Sequence, residues 1–217
     1  MARCGRRDSR RPLKRGFTVG LLGGSFNPAH GGHRRMSLEA MRRLRLDEIW
    51  WLVSPQNPLK SAVGMAPLPA RIASARRAAR HPRIRVMALE SELGTQRSID
   101  TIRALRSRYP HIRFLWLMGS DNLAEFHRWA SWRAIAHAVP IVVMARPRYI
   151  GKSQTAPAMG WLRRWRRKSL ANWRNDTLPA IRLVNLGLDP RSATAIRRAT
   201  PDWAQPSHAP HNRKDSD

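Results

Sequence analysis

The chain has 217 residues, with 41 Lys or Arg against 14 Asp or Glu, for a formal net charge of +27. That length suits one domain with a full core, and no apolar run approaches the span that a membrane helix needs. A single cysteine, Cys4, leaves no intramolecular disulfide and no cysteine metal site, which fits a reducing cytoplasm.

Residues 1–16 form a basic leader that reads as disordered, with Arg3, Arg6, Arg7, Arg10, Arg11, Lys14 and Arg15 and no periodicity. No apolar segment with a cleavage site follows it, which argues against a secretory signal. The apolar run Phe17–Leu22 then reads as a buried strand. It leads into Gly23-Gly24-Ser25-Phe26-Asn27-Pro28-Ala29-His30-Gly31-Gly32-His33. A helix is expected over Arg34–Leu44, where Met36, Ala40, Met41 and Leu44 share one face. Strand, glycine turn, two histidines and helix is an order that suits an anion. Glycines let backbone N–H groups approach it, and the positive end of a helix dipole favours it. Each imidazole can donate to phosphoryl oxygens. No Gly-Lys-Ser/Thr follows, so this is not a Walker loop, and the glycine spacing is wrong for the dinucleotide fingerprint. No Cys or carboxylate nearby completes a zinc set.

Further along, strands are expected at Glu48–Ser54, Ile84–Ala88, Phe114–Met118, Ile141–Met144 and Ile181–Leu186, and helices near Pro69–Ala79, Ser98–Tyr109 and Ser131–Ala138. Several strands are continuous apolar runs, as expected when both sheet faces are covered. The alternation predicts an α/β fold of Rossmann-like kind: a doubly wound parallel sheet in a single domain, 17–203, with a small C-terminal helical part. Ligands of such sheets lie beyond the carboxyl ends of the strands. Three segments follow strand ends: the glycine turn, Ser54–Lys60 and Gly119-Ser120-Asp121. Residues 151–179 read as a variable Trp/Arg-rich insertion, in which Trp161, Leu162, Trp165, Leu170 and Trp173 suggest an amphipathic helix packed over the domain. A disordered tail is expected at 204–217.

The turn and the C-terminal Ser192-Ala193-Thr194-Ala195-Ile196-Arg197 together resemble the nucleotidyltransferases with a His-x-Gly-His motif and a Ser-Ser/Ala-Thr-x-x-Arg box. Within that group the chain is similar to bacterial nicotinate-nucleotide adenylyltransferases over about residues 17 to 200. Their Gly-Gly-Ser/Thr-Phe-Asp/Asn-Pro-x-His-x-Gly-His pattern is matched with Asn27 at the variable position. One departure is Arg191, where that family usually has an apolar residue. The resemblance implies adenylyl transfer from ATP to nicotinate mononucleotide, with Mg²⁺. It implies catalytic roles for His30, His33 and Arg197. On the ATP side it implies Gly23, Gly24, Ser25, Phe26, Gly119 and Asp121, with Ser192 and Thr194 capping the last helix and binding phosphate. On the acceptor side it implies Asn57, Lys60, Ser98 at a helix start, and Trp129, which stacks on the pyridine ring. No metal-binding protein residue is assigned.

Two rivals belong to the same superfamily. A phosphopantetheine adenylyltransferase usually has Thr where His30 stands and Lys where Arg197 stands, and the Arg-Thr-x-Gly-Ile-Ser-Thr box of cytidylyltransferases is absent. A rival of another class is a basic RNA-binding protein on this scaffold. Against it, the positive charge is spread over the leader, Arg163–Lys168 and helix faces. Arginine also replaces lysine almost throughout, which suggests a genome-wide bias. The expectation is therefore a cytoplasmic enzyme, monomer or homo-oligomer, without membrane or specific nucleic-acid partners, that binds RNA non-specifically at low salt.

Overall fold

Each of the six apolar runs is a strand: β1 (Thr18–Gly24), β2 (Glu48–Val53), β3 (Ile84–Met87), β4 (Arg113–Gly119), β5 (Ile141–Ala145) and β6 (Ile181–Asn185). The computed structural model describes residues 16–55, 64–95, 97–145, 155–185 and 192–204. The strands form one sheet in the order β3-β2-β1-β4-β5-β6, and every neighbouring pair is parallel. From β1 the chain winds outward through β2 to β3, then returns to β4 on the other side of β1. The winding therefore reverses between β1 and β4, which opens a crevice at their carboxyl ends.

Among the described residues the α-helices are α1 (Gly31–Leu44), α2 (Leu68–Ala79), α3 (Leu89–Glu92), α4 (Ser98–Arg108), α5 (Ser120–Glu125), α6 (Trp132–Ala138), α7 (Pro157–Leu162) and α8 (Ala193–Ala199). They cover both faces of the sheet, which explains the unbroken apolar runs. In β2, Trp50 and Leu52 join Val19, Leu21 and Trp116 in one layer, closed by Ile102, Leu105, Leu123 and Ile135. Their alternates Ile49, Trp51 and Val53 join Leu22, Leu115 and Leu117 in the other, closed by Met36, Ala40, Met41 and Leu44 of α1 and by Ala75 and Ala79 of α2. No helix among the described residues is long and apolar enough to cross a membrane.

Element ends move by up to three residues from expectation. β1 runs on to Gly24, and α1 begins at Gly31 because His30 supplies its cap. The insertion departs more. Its described part is not one amphipathic helix but the short α7, begun by Pro157, and two 3₁₀ turns at Arg163–Trp165 and Trp173–Asn175. Asn172, at φ +59°, turns the chain so that Trp173 enters the core. That indole is 2% exposed, and its N–H donates to the Leu44 carbonyl at the end of α1, at 2.9 Å. The Arg167 N–H donates to the Ile181 carbonyl at 2.8 Å, so the insertion runs beside β6. Arg182, also buried, pairs with Asp176 and donates to the Ser169 carbonyl at 2.7 Å. Residues 1–15 of the expected leader lie outside the described residues, as does the tail from 205 onward.

Trp173 fills the layer under α1 and satisfies a helix-end carbonyl, so its loss leaves a cavity and an orphaned acceptor. Trp173→Ala should cost about 3–5 kcal/mol of stability, measured by urea unfolding.

Candidate active site

The loop leaving β1 is shaped by packing before it is shaped by hydrogen bonds. A Cβ on Gly23 would lie 2.9 Å from the Trp116 ring, so the strand end accepts only glycine there without a shift. The left-handed residue of the turn is not a glycine but Phe26, at φ +47°. Its ring is 2% exposed and stacks on Trp51 with centroids 5.0 Å apart and planes 16° apart, which holds the strained backbone in place.

The two histidines then cap α1 and each other's backbone. His30 is the N-cap, and its Nδ1 accepts from the Gly32 N–H at 3.1 Å. His33 Nδ1 accepts from the His30 N–H at 3.2 Å, closing a capping box made of two imidazoles. A ring nitrogen that accepts from a backbone N–H carries no proton. Hydrogen bonding therefore assigns both neutral rings the Nε2–H tautomer, in which Nε2 is the donor. The ring centroids are 4.1 Å apart, and His33 lies 5.0 Å from the Phe26 ring. The first turn of α1 holds no acidic residue, so nothing there offsets the positive end of its dipole.

The far end of the chain reaches this loop. Ser192 caps α8 by accepting from the Ala195 N–H at 3.1 Å. Thr194, expected as a second cap, instead accepts from Arg197 Nη2 at 3.3 Å, because it sits inside the first turn of α8. Arg197 Nη1 donates to the Asn27 carbonyl across 170 positions of sequence. The Asn27 side chain, 6% exposed, donates to the Gly64 carbonyl at 2.8 Å and accepts from the Ala66 N–H at 3.1 Å. So His30, His33 and Arg197 are brought to one loop.

The neighbouring strand ends add to the rim. After β4, a Cβ on Gly119 would meet Asp121 Oδ1 at 2.2 Å, so the glycine makes room for that carboxylate in the first turn of α5. Trp129 is half-buried and edge-on to Trp116 and Phe126, with centroids 6.2 and 5.4 Å away. Among the described residues the buried Trp116 indole N–H has no hydrogen-bond partner. Ser98 is the first residue of α4 rather than its cap. The cap is Arg97, and its side chain makes no capping bond. Among the described residues no hydrogen bond ties Ser98 to the histidine loop. Asn57 and Lys60 lie outside the described residues.

Two rim residues escaped the sequence reading. Arg71, 1% exposed, donates from Nε to the Ala66 carbonyl at 2.8 Å, from Nη1 to those of Ser25 at 2.8 Å and Ser54 at 2.6 Å, and from Nη2 to that of Pro55. Burial pulls its pKa below the ordinary guanidinium value. Glu90, in α3 beyond β3, has its pKa raised by burial, and a hydrogen bond with Ser54 opposes that shift. The only signal for Arg71 was a basic residue on the inner face of an amphipathic helix. For Glu90 the signal was an acid just beyond a strand end.

Residues 21–199 match the cytidylyltransferase-like family model. A probable nicotinate-nucleotide adenylyltransferase of Erythrobacter litoralis is 60% identical over 188 residues, 85% of each chain. One of the same name from Cereibacter sphaeroides is 52% identical over 187 residues, 86% of this chain and all of that one. Among solved structures, a Plasmodium falciparum nicotinic acid mononucleotide adenylyltransferase complexed with NaAD superposes with a TM-score of 0.60 at 15% identity. It covers 84% of this chain and 83% of its own, a likeness of fold.

The Glu90 shift has a sign that can be tested. Its folded-state pKa lies above its unfolded one, so between the two values the folded state binds more protons, and stability falls as pH rises through that window. Glu90→Gln should therefore raise the melting temperature relative to the parent at about pH 8, and the gain should vanish near pH 4, where both states carry the proton. Thermal unfolding of both proteins across that range checks it.

Proposed function

We infer the activity from kinship: the chain belongs to the cytidylyltransferase-like family and, within it, to the nicotinate-nucleotide adenylyltransferases. It transfers the adenylyl group of ATP to nicotinate mononucleotide, giving nicotinate adenine dinucleotide and pyrophosphate, a step of NAD biosynthesis. The observation that best supports this is the meeting of two Nε2–H donors and one guanidinium on a single loop at the switch point of the sheet.

In our reading the phosphate oxygen of the mononucleotide attacks the α-phosphorus of ATP in line. The bond from that phosphorus to the bridging oxygen breaks, and pyrophosphate carries the electron pair away. The nucleophile is already ionised, so the reaction asks the protein for no strong base. It asks for placement and for compensation of charge. Enzymes typically remove at least ~8 kcal/mol of barrier. A helix terminus contributes ~0.3–2 kcal/mol, which is too little alone. Orientation of two bound reactants contributes ~7–11 kcal/mol, and aimed donors on the phosphoryl group add to that.

His30, His33 and Arg197 are assigned to the phosphoryl oxygens. The imidazoles act through Nε2–H, and Arg197 through the part of its fork not turned to Asn27 and Thr194. Gly23, Gly24, Ser25 and Phe26 line the nucleotide turn, and Ser192 and Thr194 present the start of α8 to phosphate. Gly119 and Asp121 take the ATP side, and Asn57, Lys60, Ser98 and Trp129 the acceptor. Mg²⁺ generally keeps waters and binds through substrate phosphates and one or two carboxylates. The rim fits an ion that arrives on the triphosphate, with Asp121 as the carboxylate within the expected ATP site. Such an ion neutralises charge on the phosphates. The single cysteine and the dependence on ATP favour a cytoplasmic enzyme.

Pyrophosphate release from ATP and Mg²⁺ should depend on nicotinate mononucleotide and be weaker with its amide analogue or with phosphopantetheine. His33→Ala should lower turnover by about 10²–10³-fold, the usual cost of removing one aimed donor, with its far-UV circular dichroism unchanged. Near-parental turnover in a folded variant would remove His33 from the mechanism.

A further inference from the structure

β1 and β2 pair in register as far as Gly24 and Val53, and the Ser54 N–H still reaches the Gly24 carbonyl at 3.0 Å. Beyond that point the strands part into the two loops that flank the crevice, and the carbonyls of Ser25 and Ser54 both turn to one side chain. Arg71 Nη1 takes both. Its Nη2 and Nε hold Pro55 and Ala66, toward the two ends of the β2–α2 connection. Four carbonyls from three segments are thus gathered on one planar fork that is 1% exposed.

The choice of group is informative. A buried cation is costly, and an apolar residue of similar volume packs a core at least as well. Among the described residues no carboxylate pairs with Arg71, so its charge stays in the rim. Lysine would offer one point charge where the site needs donors pointing in several fixed directions. The Asn27 carboxamide makes a second, independent tie between the same two loops, to Gly64 and Ala66.

We propose, resting on the activity inferred above, that Arg71 is a positioning residue which, with Asn27, latches the β2–α2 connection onto the β1–α1 loop and so sets how the acceptor meets the triphosphate. Three of the four carbonyls it holds, those of Ser54, Pro55 and Ala66, belong to the acceptor-side connection. Disturbing the latch therefore falls mainly on the acceptor.

The test uses the full chain, with ATP, Mg²⁺ and nicotinate mononucleotide varied in turn. Arg71→Lys keeps the charge and loses the fork. It should raise KM for the mononucleotide about tenfold or more and lower kcat, while KM for ATP stays within about threefold, as displacement of one reactant predicts. Asn27→Ala should show the same pattern more weakly. A readout independent of the reaction is cleavage after Lys60 by a lysine-specific protease, which should be faster in Arg71→Lys than in the parent. Parental kinetics in a folded Arg71→Lys overturn the proposal. So does a deficit that tracks the unfolded fraction with both KM values unchanged. If Arg71→Lys does not fold, a parental acceptor KM and parental cleavage in Asn27→Ala overturn it instead. If the parent itself turns over no nicotinate mononucleotide, the assigned activity fails, and the cleavage comparison still decides the latch.

Discussion

Two guanidinium groups hold the backbone carbonyls of one loop, Arg71 at Ser25 and Arg197 at Asn27, and the histidine pair depends on where they hold it. A loop that leaves a parallel strand for a helix has polar backbone groups without ladder partners, and buried ones must be answered. Here they are answered by side chains 46 and 170 positions away. The loop is therefore not a local motif that forms by itself. Its shape is a product of the whole domain, with α2 closing it from one direction and α8 from the other. Phe26, between the two gripped residues, adds the stack on Trp51 that keeps a left-handed residue from relaxing.

The same arrangement explains how a chain of such basic composition keeps a usable field at one place. Most of its arginines stand in solvent, where pairs such as Arg43 with Glu39 contribute little. Among the described residues the buried arginines divide into two kinds. Arg182 is neutralised by Asp176, at the base of the insertion. Arg71 is met by carbonyl dipoles, which satisfy its donors and leave its charge in place. Together with an α1 first turn that carries no acid, this places positive charge beside the histidine loop.

The sheet was legible because parallel strands covered on both faces cannot alternate. Runs such as the Ile49–Val53 core of Glu48–Ser54 are apolar throughout, and all six became strands. The histidine loop was legible as a strand-to-helix turn, since it lies between an apolar run and a helical face. Its geometry was not. Nothing in the residue types says that the imidazoles bind backbone through Nδ1 and so present Nε2, or that Phe26 rather than a glycine takes the left-handed position. Ser98 opens its helix as expected, while the cap position before it falls to Arg97, which has no short acceptor to offer. Arg71 was hidden by abundance, since among 41 basic residues a buried arginine has no mark of its own in the sequence. The insertion misled because tryptophans at helical spacing suggested a stripe, while Asn172 and Ser169 break the chain into turns that send Trp173 inward.

The path of the insertion beside β6 also bears on how the molecule meets its own kind in a crowded cell. An open parallel sheet ends in two unpaired rows of amides, each a template for foreign strands. Along β6 the Arg167 amide already occupies the Ile181 carbonyl. On the opposite border β3 has only four residues, and from it Arg85 projects to bind Glu48 of the next strand. The segment that looked like an ornament of the sequence thus covers the start of that border with its own backbone.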